Sequence, residues 1–319
     1  MKRIPYIQIG DSSLALPAFF PSVSSVKTNL TPSDYVDLLV ALQFPQFLLS
    51  AYDYVNASRA DQDAMIRSVK QARDTSKVVL LDSGNYESYW QRNKTWAPEQ
   101  FWRACRELKP TMAFSFDGAE PDPQRSAEKI IAGLEADQQA CAPIPVMPIV
   151  HATSAESPGL VAEVAKINTA PIIAVPEREL GDGIRHRMRT VAAIRSALDN
   201  AAPNRALHIL GTGNPLSIAA LAISGADTFD GLEWCQTAVE FSTGKLSHFH
   251  HWDLLASTSP VRKLSELYEV PYAQRVLAHN LVFYAEFSDA LRQYVGTEVA
   301  SGAFDRILQD LRPLLRETN

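Results

Sequence analysis

The stretch Val78-Val79-Leu80-Leu81-Asp82-Ser83-Gly84-Asn85-Tyr86 decides the fold. An unbroken apolar run ends on an aspartate followed by a small, turn-forming pair, as expected of a strand covered on both faces that delivers a carboxylate at its end. Phe114-Ser115-Phe116-Asp117-Gly118 and Thr228-Phe229-Asp230-Gly231 repeat the pattern. In a closed parallel barrel, such strand-end aspartates face one another across one pocket. Clustering three carboxylates costs free energy, because each disfavours ionisation of the others, and costs of that kind concentrate at functional sites.

Working outward, similar apolar runs recur at a regular interval and predict strands over 18–22, 47–50, 78–81, 113–116, 146–150, 172–175, 207–210 and 228–229. Segments of helical spacing lie between them, over 32–43, 60–73, 98–108, 123–137, 159–167, 184–198 and 215–224. Thr31-Pro32 and Asn214-Pro215 read as N-cap and first-turn pairs. Eight strands alternating with helices, with no long polar linker, predict an α/β fold of the (β/α)8 TIM-barrel type in one domain over 1–319. The rival is a six-stranded doubly wound sheet with an appendage. Past the eighth strand, 235–255 is polar, histidine-rich and irregular. Amphipathic helices over 276–294 and 304–315 follow, so C-terminal helices from about 260 onward are expected to close the outer ring.

Composition bounds the partners. The chain has 319 residues, 46% apolar and 21% charged, enough for a large core and typical of globular proteins. A net charge of −6 excludes a strongly basic nucleic-acid coat but not a local basic face. Met1-Lys2-Arg3-Ile4-Pro5 has no apolar signal core and no run approaches a membrane span, so a cytoplasmic location and no membrane partner are expected. Cys105, Cys141 and Cys235 form no paired-ligand motif and read as reduced thiols.

Read in barrel order, the strand ends present Ser50, Asp82-Ser83-Gly84, Asp117, His151, Glu177, Gly211-Thr212-Gly213 and Asp230. Any one of these aspartates is equally a helix N-cap or a turn residue. Together, carboxylates without a phosphate loop or a metal motif suit chemistry at an anomeric carbon: one attacks C1′ of a sugar while another manages the leaving group's proton. Tyr86 reads either as a base-stacking aromatic or as core, and the Gly211 turn as a point of close approach.

These residues resemble the tRNA-guanine transglycosylase superfamily over nearly the whole chain. Leu16-Pro17-Ala18-Phe19-Phe20-Pro21 with Asn29-Leu30-Thr31-Pro32 resembles its opening strand and helix, and Leu48-Leu49-Ser50-Ala51-Tyr52 its second strand end. Asp82-Ser83-Gly84-Asn85-Tyr86 resembles its Asp-Ser-Gly-Gly-Phe/Tyr motif, and Ser115-Phe116-Asp117 its base-recognition aspartate. Ala174-Val175-Pro176-Glu177, Leu210-Gly211-Thr212-Gly213-Asn214-Pro215 and Phe229-Asp230 complete seven matches in the family's order. The resemblance implies base exchange with no cofactor. Asp230 is then the nucleophile at C1′ of a guanosine and Asp82 the general base for an incoming 7-deazaguanine. Asp117 binds the base, Tyr86 and Leu210 sandwich it, and Ser83, Gly84, His151, Glu177 and Gly211 complete the substrate-binding set.

The departures are specific. Members acting on tRNA carry a Cys-x-Cys-x-x-Cys zinc site with a later histidine. Here Cys235 stands alone and His279-Asn280-Leu281 has no cysteine partners, so no zinc is expected. Asn85 replaces the motif's second glycine and Glu87 a glutamine. His151 replaces an amide that contacts the base's carbonyl, and Pro171-Ile172 replaces a glycine pair near position 7 of the base. Lacking the zinc segment, the chain is similar to the zinc-less DNA-guanine transglycosylases, which favours DNA over tRNA as the nucleic-acid partner and leaves room for a companion protein. Arg92, Lys94, Arg185, Arg187, Arg189 and Lys245 are the candidate phosphate contacts, each equally a solvated surface charge. The cluster His248, His250 and His251 with Asp253 and Cys235 reads as a metal site, a phosphate contact or rim packing. Trp234 and Trp252 read as core. Alternatives are a tRNA-guanine transglycosylase, an N-glycoside hydrolase in which water resolves the intermediate, and a non-catalytic partner subunit of the same fold.

Overall fold

The computed structural model describes residues 3–117 and 126–315. Gly118 and the opening of the helix expected from 123 lie outside the described residues. Eight parallel strands form the core: β1 (Ala18–Val23), β2 (Gln46–Ser50), β3 (Val78–Asp82), β4 (Met112–Phe114), β5 (Val146–Met147), β6 (Ile172–Pro176), β7 (Ala206–Leu210) and β8 (Thr228–Gly231). Their order is β5-β4-β3-β2-β1-β8-β7-β6. A parallel bridge between Ile149 and Ala174 joins the two ends. There Val150 N–H donates to Ala174 O (2.8 Å) and Ala174 N–H to Pro148 O (2.9 Å). The fold is a (β/α)8 TIM barrel. Strand β5 is shorter than its apolar run because Pro148 has no N–H to give the ladder.

Strand periodicity sorts the side chains into two cores. Phe47, Leu49, Val79, Leu81, Ile173, Val175, Leu207 and Ile209 face out and pack against the helices. Alternate residues (Ala18, Phe20, Leu48, Val78, Leu80, Met112, Phe114, Ile172 and Ala174) fill the barrel's interior. Burial on both faces explains the unbroken apolar runs. The same alternation continued upward puts Ser22, Ser50, Asp82, Leu210 and Asp230 in the topmost inward layer, where polar groups replace methyls.

The helices follow from their caps as much as from their apolar faces. Thr31 forms a capping box with Asp34 ahead of helix Pro32–Ala41, and Asn214 Oδ1 accepts from Leu216 N–H (3.0 Å) ahead of helix Pro215–Ser224. Such caps contribute about 1 kcal/mol each. Helices Tyr272–Thr297 and Gly302–Leu315 complete the outer ring. Tyr284 stacks on Phe19 (4.5 Å between centroids) and donates its hydroxyl proton to Gly213 O (2.7 Å), tying the C-terminal helices to the barrel.

Two hairpins add to the expected elements. Tyr6–Ile9 pairs antiparallel with Ser12–Ala15, and its inward Ile7, Ile9 and Leu14 join the interior core and plug the barrel. Within the stretch expected to be irregular, Thr237–Val239 pairs with Leu246–His248. No helix among the described residues is long and apolar enough to cross a membrane.

Candidate active site

Asp230 sits on β8 in the inward register, buried but for 8% of its surface. Three groups from three neighbouring segments fix its carboxylate. Ser22 Oγ on β1 donates to Oδ2 (2.8 Å), Gly211 N–H beyond β7 donates to Oδ1 (3.0 Å), and His208 Nε2 on β7 lies 3.0 Å from Oδ1. With the ring proton on Nε2, His208 Nδ1 accepts from Thr228 Oγ1 (2.9 Å). His208 is fully buried, so its ring is a fixed strut for the carboxylate. Gly211 adopts φ +78°, the left-handed conformation that favours glycine.

Asp82 ends β3, three strands from Asp230 around the ring. Gly84 N–H donates to its Oδ2 (3.1 Å). Burial pushes its carboxyl well above the usual range, and the charges of Asp117, Glu87 and Asp230 push the same way. Gly84 is obligatory here: its φ is +86°, and a Cβ would lie 2.5 Å from Tyr52 Cβ. The turn therefore presses against the end of β2.

Asp117, beyond β4, is the most heavily coordinated of the three. Its Oδ1 accepts from Ser83 Oγ (2.5 Å) and Asn85 Nδ2 (2.7 Å), and His151 Nε2 lies 3.2 Å from Oδ2. Burial acts to raise its pKa, but His151, Ser83 and Asn85 outweigh that and hold it low. On its other side His151 Nδ1 lies 2.7 Å from Glu179 Oε1. Burial works against the imidazolium, yet hydrogen bonds to Asp117 and Glu179 raise its pKa above the ordinary value. Both ring nitrogens are thus engaged by carboxylates. Asp117, His151 and Glu179 therefore form one hydrogen-bonded chain, and Asn85 helps build it through Asp117.

The remaining expected residues are placed as follows. Tyr86 is exposed on the short helix Asn85–Trp90 that follows β3. Leu210 ends β7, on the opposite side of the ring. Glu177 pairs with Arg187 (2.7 Å); burial raises its carboxyl despite that guanidinium. The pairing takes Arg187 out of the set of open phosphate contacts, because it also donates to Gly181 O (3.1 Å). Arg185, Arg187 and Arg189 lie in the first turns of helix Gly183–Ala201 and not in a loop. Arg92 and Lys94 are exposed beside the aromatic helix. Lys245 is exposed too, but its turn packs Gly244 against the C-terminal helices, where a Cβ would meet Ile307 and Phe283, so it stands on the flank.

Several carboxyls here escaped the sequence reading. Glu87 is buried against Ser24 (2.5 Å) and Ser50 (2.7 Å); burial and Asp53 raise it to about 7. Asp53 is raised to about 6 by burial, against two hydrogen bonds from Ser25. Glu233 is also pushed up to about 7 by burial, with Glu177 and Asp230 adding to it. Its Oε2 occupies a notch that exists only because Gly213 and Gly231 have no side chains: a Cβ on Gly213 would come within 2.1 Å. The paired glycines flanking Asp230 were a usable signal for a close approach. Nothing in the local sequence marked Glu233 as the group approaching.

The groups with metal-binding potential have other partners. His279 Nε2 lies 2.7 Å from Val239 O and Nδ1 2.8 Å from Ser259 Oγ, a structural role inside the C-terminal layer. Cys235 is buried, its thiol 3.2 Å from Leu232 O. His248 stacks loosely with His250 and His251, and His250 with Tyr272. Among the described residues no group of three or more His, Cys, Asp or Glu is arranged to hold a metal ion. Trp234 and Trp252 are buried core, as expected. No protein-family model matches the chain, and no curated protein matches it.

Proposed function

We propose that the chain is a base-exchange transglycosylase that replaces guanine in a nucleic acid, DNA in preference to tRNA, with a 7-deazaguanine. The observation that carries this reading is the convergence of Asp82, Asp117 and Asp230 on one barrel mouth, each held by a different set of hydrogen-bond donors. Asp230 accepts from Ser22 and Gly211 with His208 beside it, and no Lys or Arg pairs with it among the described residues, so an oxygen lone pair is available to carbon. Burial, with the charges of Asp117, Glu87 and Asp230 adding to it, raises the carboxyl of Asp82 and favours its protonated form. Asp117, the low member, accepts hydrogen bonds and suits recognition of a base's N–H edge.

The steps balance without a cofactor. An Asp230 oxygen forms a bond to C1′ as the C1′–N9 bond breaks, and the carboxyl proton of Asp82 passes to N9 of the departing guanine. Asp82, now a carboxylate, takes the N9 proton of the incoming 7-deazaguanine, whose nitrogen attacks C1′ and releases Asp230. One glycosidic bond is exchanged for another. A target inside a duplex must first leave the stack, at a cost of a few kcal/mol.

Incorporation of labelled guanine into duplex DNA and into bulk tRNA tests the reading, with Asp230→Asn as control. Label in DNA, lost in the variant, is the expected result. Label confined to tRNA reverses the choice of partner. Release of free guanine without incorporation identifies a hydrolase.

A further inference from the structure

Beside the mouth, helix Asn85–Trp90 carries aromatic side chains that the fold does not use. Tyr86, Tyr89 and Trp90 are 43%, 70% and 46% exposed, on an element whose inward Glu87 and Ser88 are buried. Tyr86 and Tyr89 meet Trp90 in edge-to-face contacts, with centroids at 6.3 and 5.8 Å. Lys27, on the segment after β1, places its ammonium 3.9 Å from the centre of the Trp90 ring. Arg92 and Lys94 follow directly and are exposed. The one acidic residue from 85 to 97, Glu87, is turned inward onto Ser24 and Ser50. Between 85 and 97 every exposed charge is therefore positive.

We infer that Tyr89 and Trp90 form a stacking platform for unpaired bases flanking the reacting nucleotide, with Lys27, Arg92 and Lys94 contacting the adjoining phosphates. Bases offer flat faces to exposed rings and phosphates complement the cations, so one strand matches both features at once. Leaving large aromatic surface in water is unfavourable by about 25 cal/mol per Å², so a rim that keeps it exposed is suited to an occupant that covers it. The inference rests on the proposed reading and extends it: the strand is held locally single-stranded on the β3 side of the mouth, beyond the pocket that takes the reacting base.

The test is equilibrium binding of a fluorescent single-stranded oligodeoxynucleotide of about twelve nucleotides, with one central guanine. A second oligonucleotide carries abasic sites on either side of that guanine. Tyr89→Ala and Trp90→Ala are each expected to weaken binding of the first about tenfold. Tyr89→Phe and Trp90→Phe retain affinity. The wild type binds the abasic strand as weakly as the alanine variants bind the intact one, and the alanine changes then add little. Circular dichroism confirms that the variants are folded. Unchanged affinity in both alanine variants overturns the platform. Equal losses on intact and abasic strands overturn it too, since stacking on flanking bases is then not what was removed. In either case guanine exchange by the wild type leaves the enzymatic reading standing. A wild type that binds no strand overturns the platform, and the exchange assay alone then decides the enzymatic reading.

Discussion

Asp227 and Asp230 lie three residues apart, yet they stand at opposite ends of the barrel and are treated in opposite ways. Asp227, at the bottom, accepts from Leu207 N–H (2.8 Å) and is paired with the buried Arg195 (3.1 Å), which also donates to Arg205 O (2.9 Å). Asp230, at the top, has serine, glycine and histidine as its neighbours. Burial raises the carboxyl of Asp227 even so, while Arg3 and Arg195 pull it down. The two ends hold a buried carboxylate in two different ways. At the bottom a guanidinium covers the charge and locks strand to helix. At the top, uncharged donors and an imidazole hold the oxygens, and burial raises the carboxyls of Asp82, Glu87 and Glu233, which favours their protonated forms.

The sharpest way to break this comparison is to remove each charge in turn. Asp227→Asn leaves Arg195 without its buried partner and is expected to lower stability by about 3–5 kcal/mol, read from denaturant unfolding. Asp230→Asn is expected to keep wild-type stability or gain slightly, because it removes like-charge repulsion at the mouth. Equal destabilisation by both changes would show that Asp230 is structural as well.

A smaller effect sharpens the account of the top end. Glu87 is raised from 4.5 to about 7, so the folded protein holds its proton at pH values where the unfolded chain has lost it. Stability then declines as pH rises through roughly 4.5 to 7 and levels off above, where the buried charge exerts its full penalty. Glu87→Gln, which keeps hydrogen-bonding capacity toward Ser24 and Ser50, is expected to flatten that decline. It should also gain about 2 kcal/mol above pH 7. An unaltered pH profile would show that Glu87 is ionised without cost.

The eight barrel strands were legible because their apolar runs report burial on two faces. The helices between the strands were legible from their spacing, and the caps Thr31 and Asn214 also marked where two of them begin. The N-terminal hairpin was written in the alternation of Tyr6, Ile7, Gln8 and Ile9, but so short a period-two signal carries little weight before a barrel exists for it to plug. Asp82, Asp117 and Asp230 were legible as strand-end residues. Ser83, Gly84, His151 and Gly211 were legible beside them, but Glu179, Glu233 and His208 were not, because they reach the site by tertiary approach. His208 lies inside a run that reads as a core strand, and only the inward register shared with Leu210 turns its ring toward Asp230. Arg187 shows the converse: a cation at a strand end reads as a phosphate contact until the fold sets Glu177 beside it.

The central claim is that Asp230 carries the sugar during exchange. The most direct test is to incubate the protein with a guanine-containing oligodeoxynucleotide in the absence of free base, denature it rapidly, and map any covalent adduct by peptide mass. An oligonucleotide ester on Asp230, lost on adding guanine and absent from Asp230→Asn, is the predicted result. Guanine exchange that proceeds with no adduct, or with one on another residue, would contradict the account.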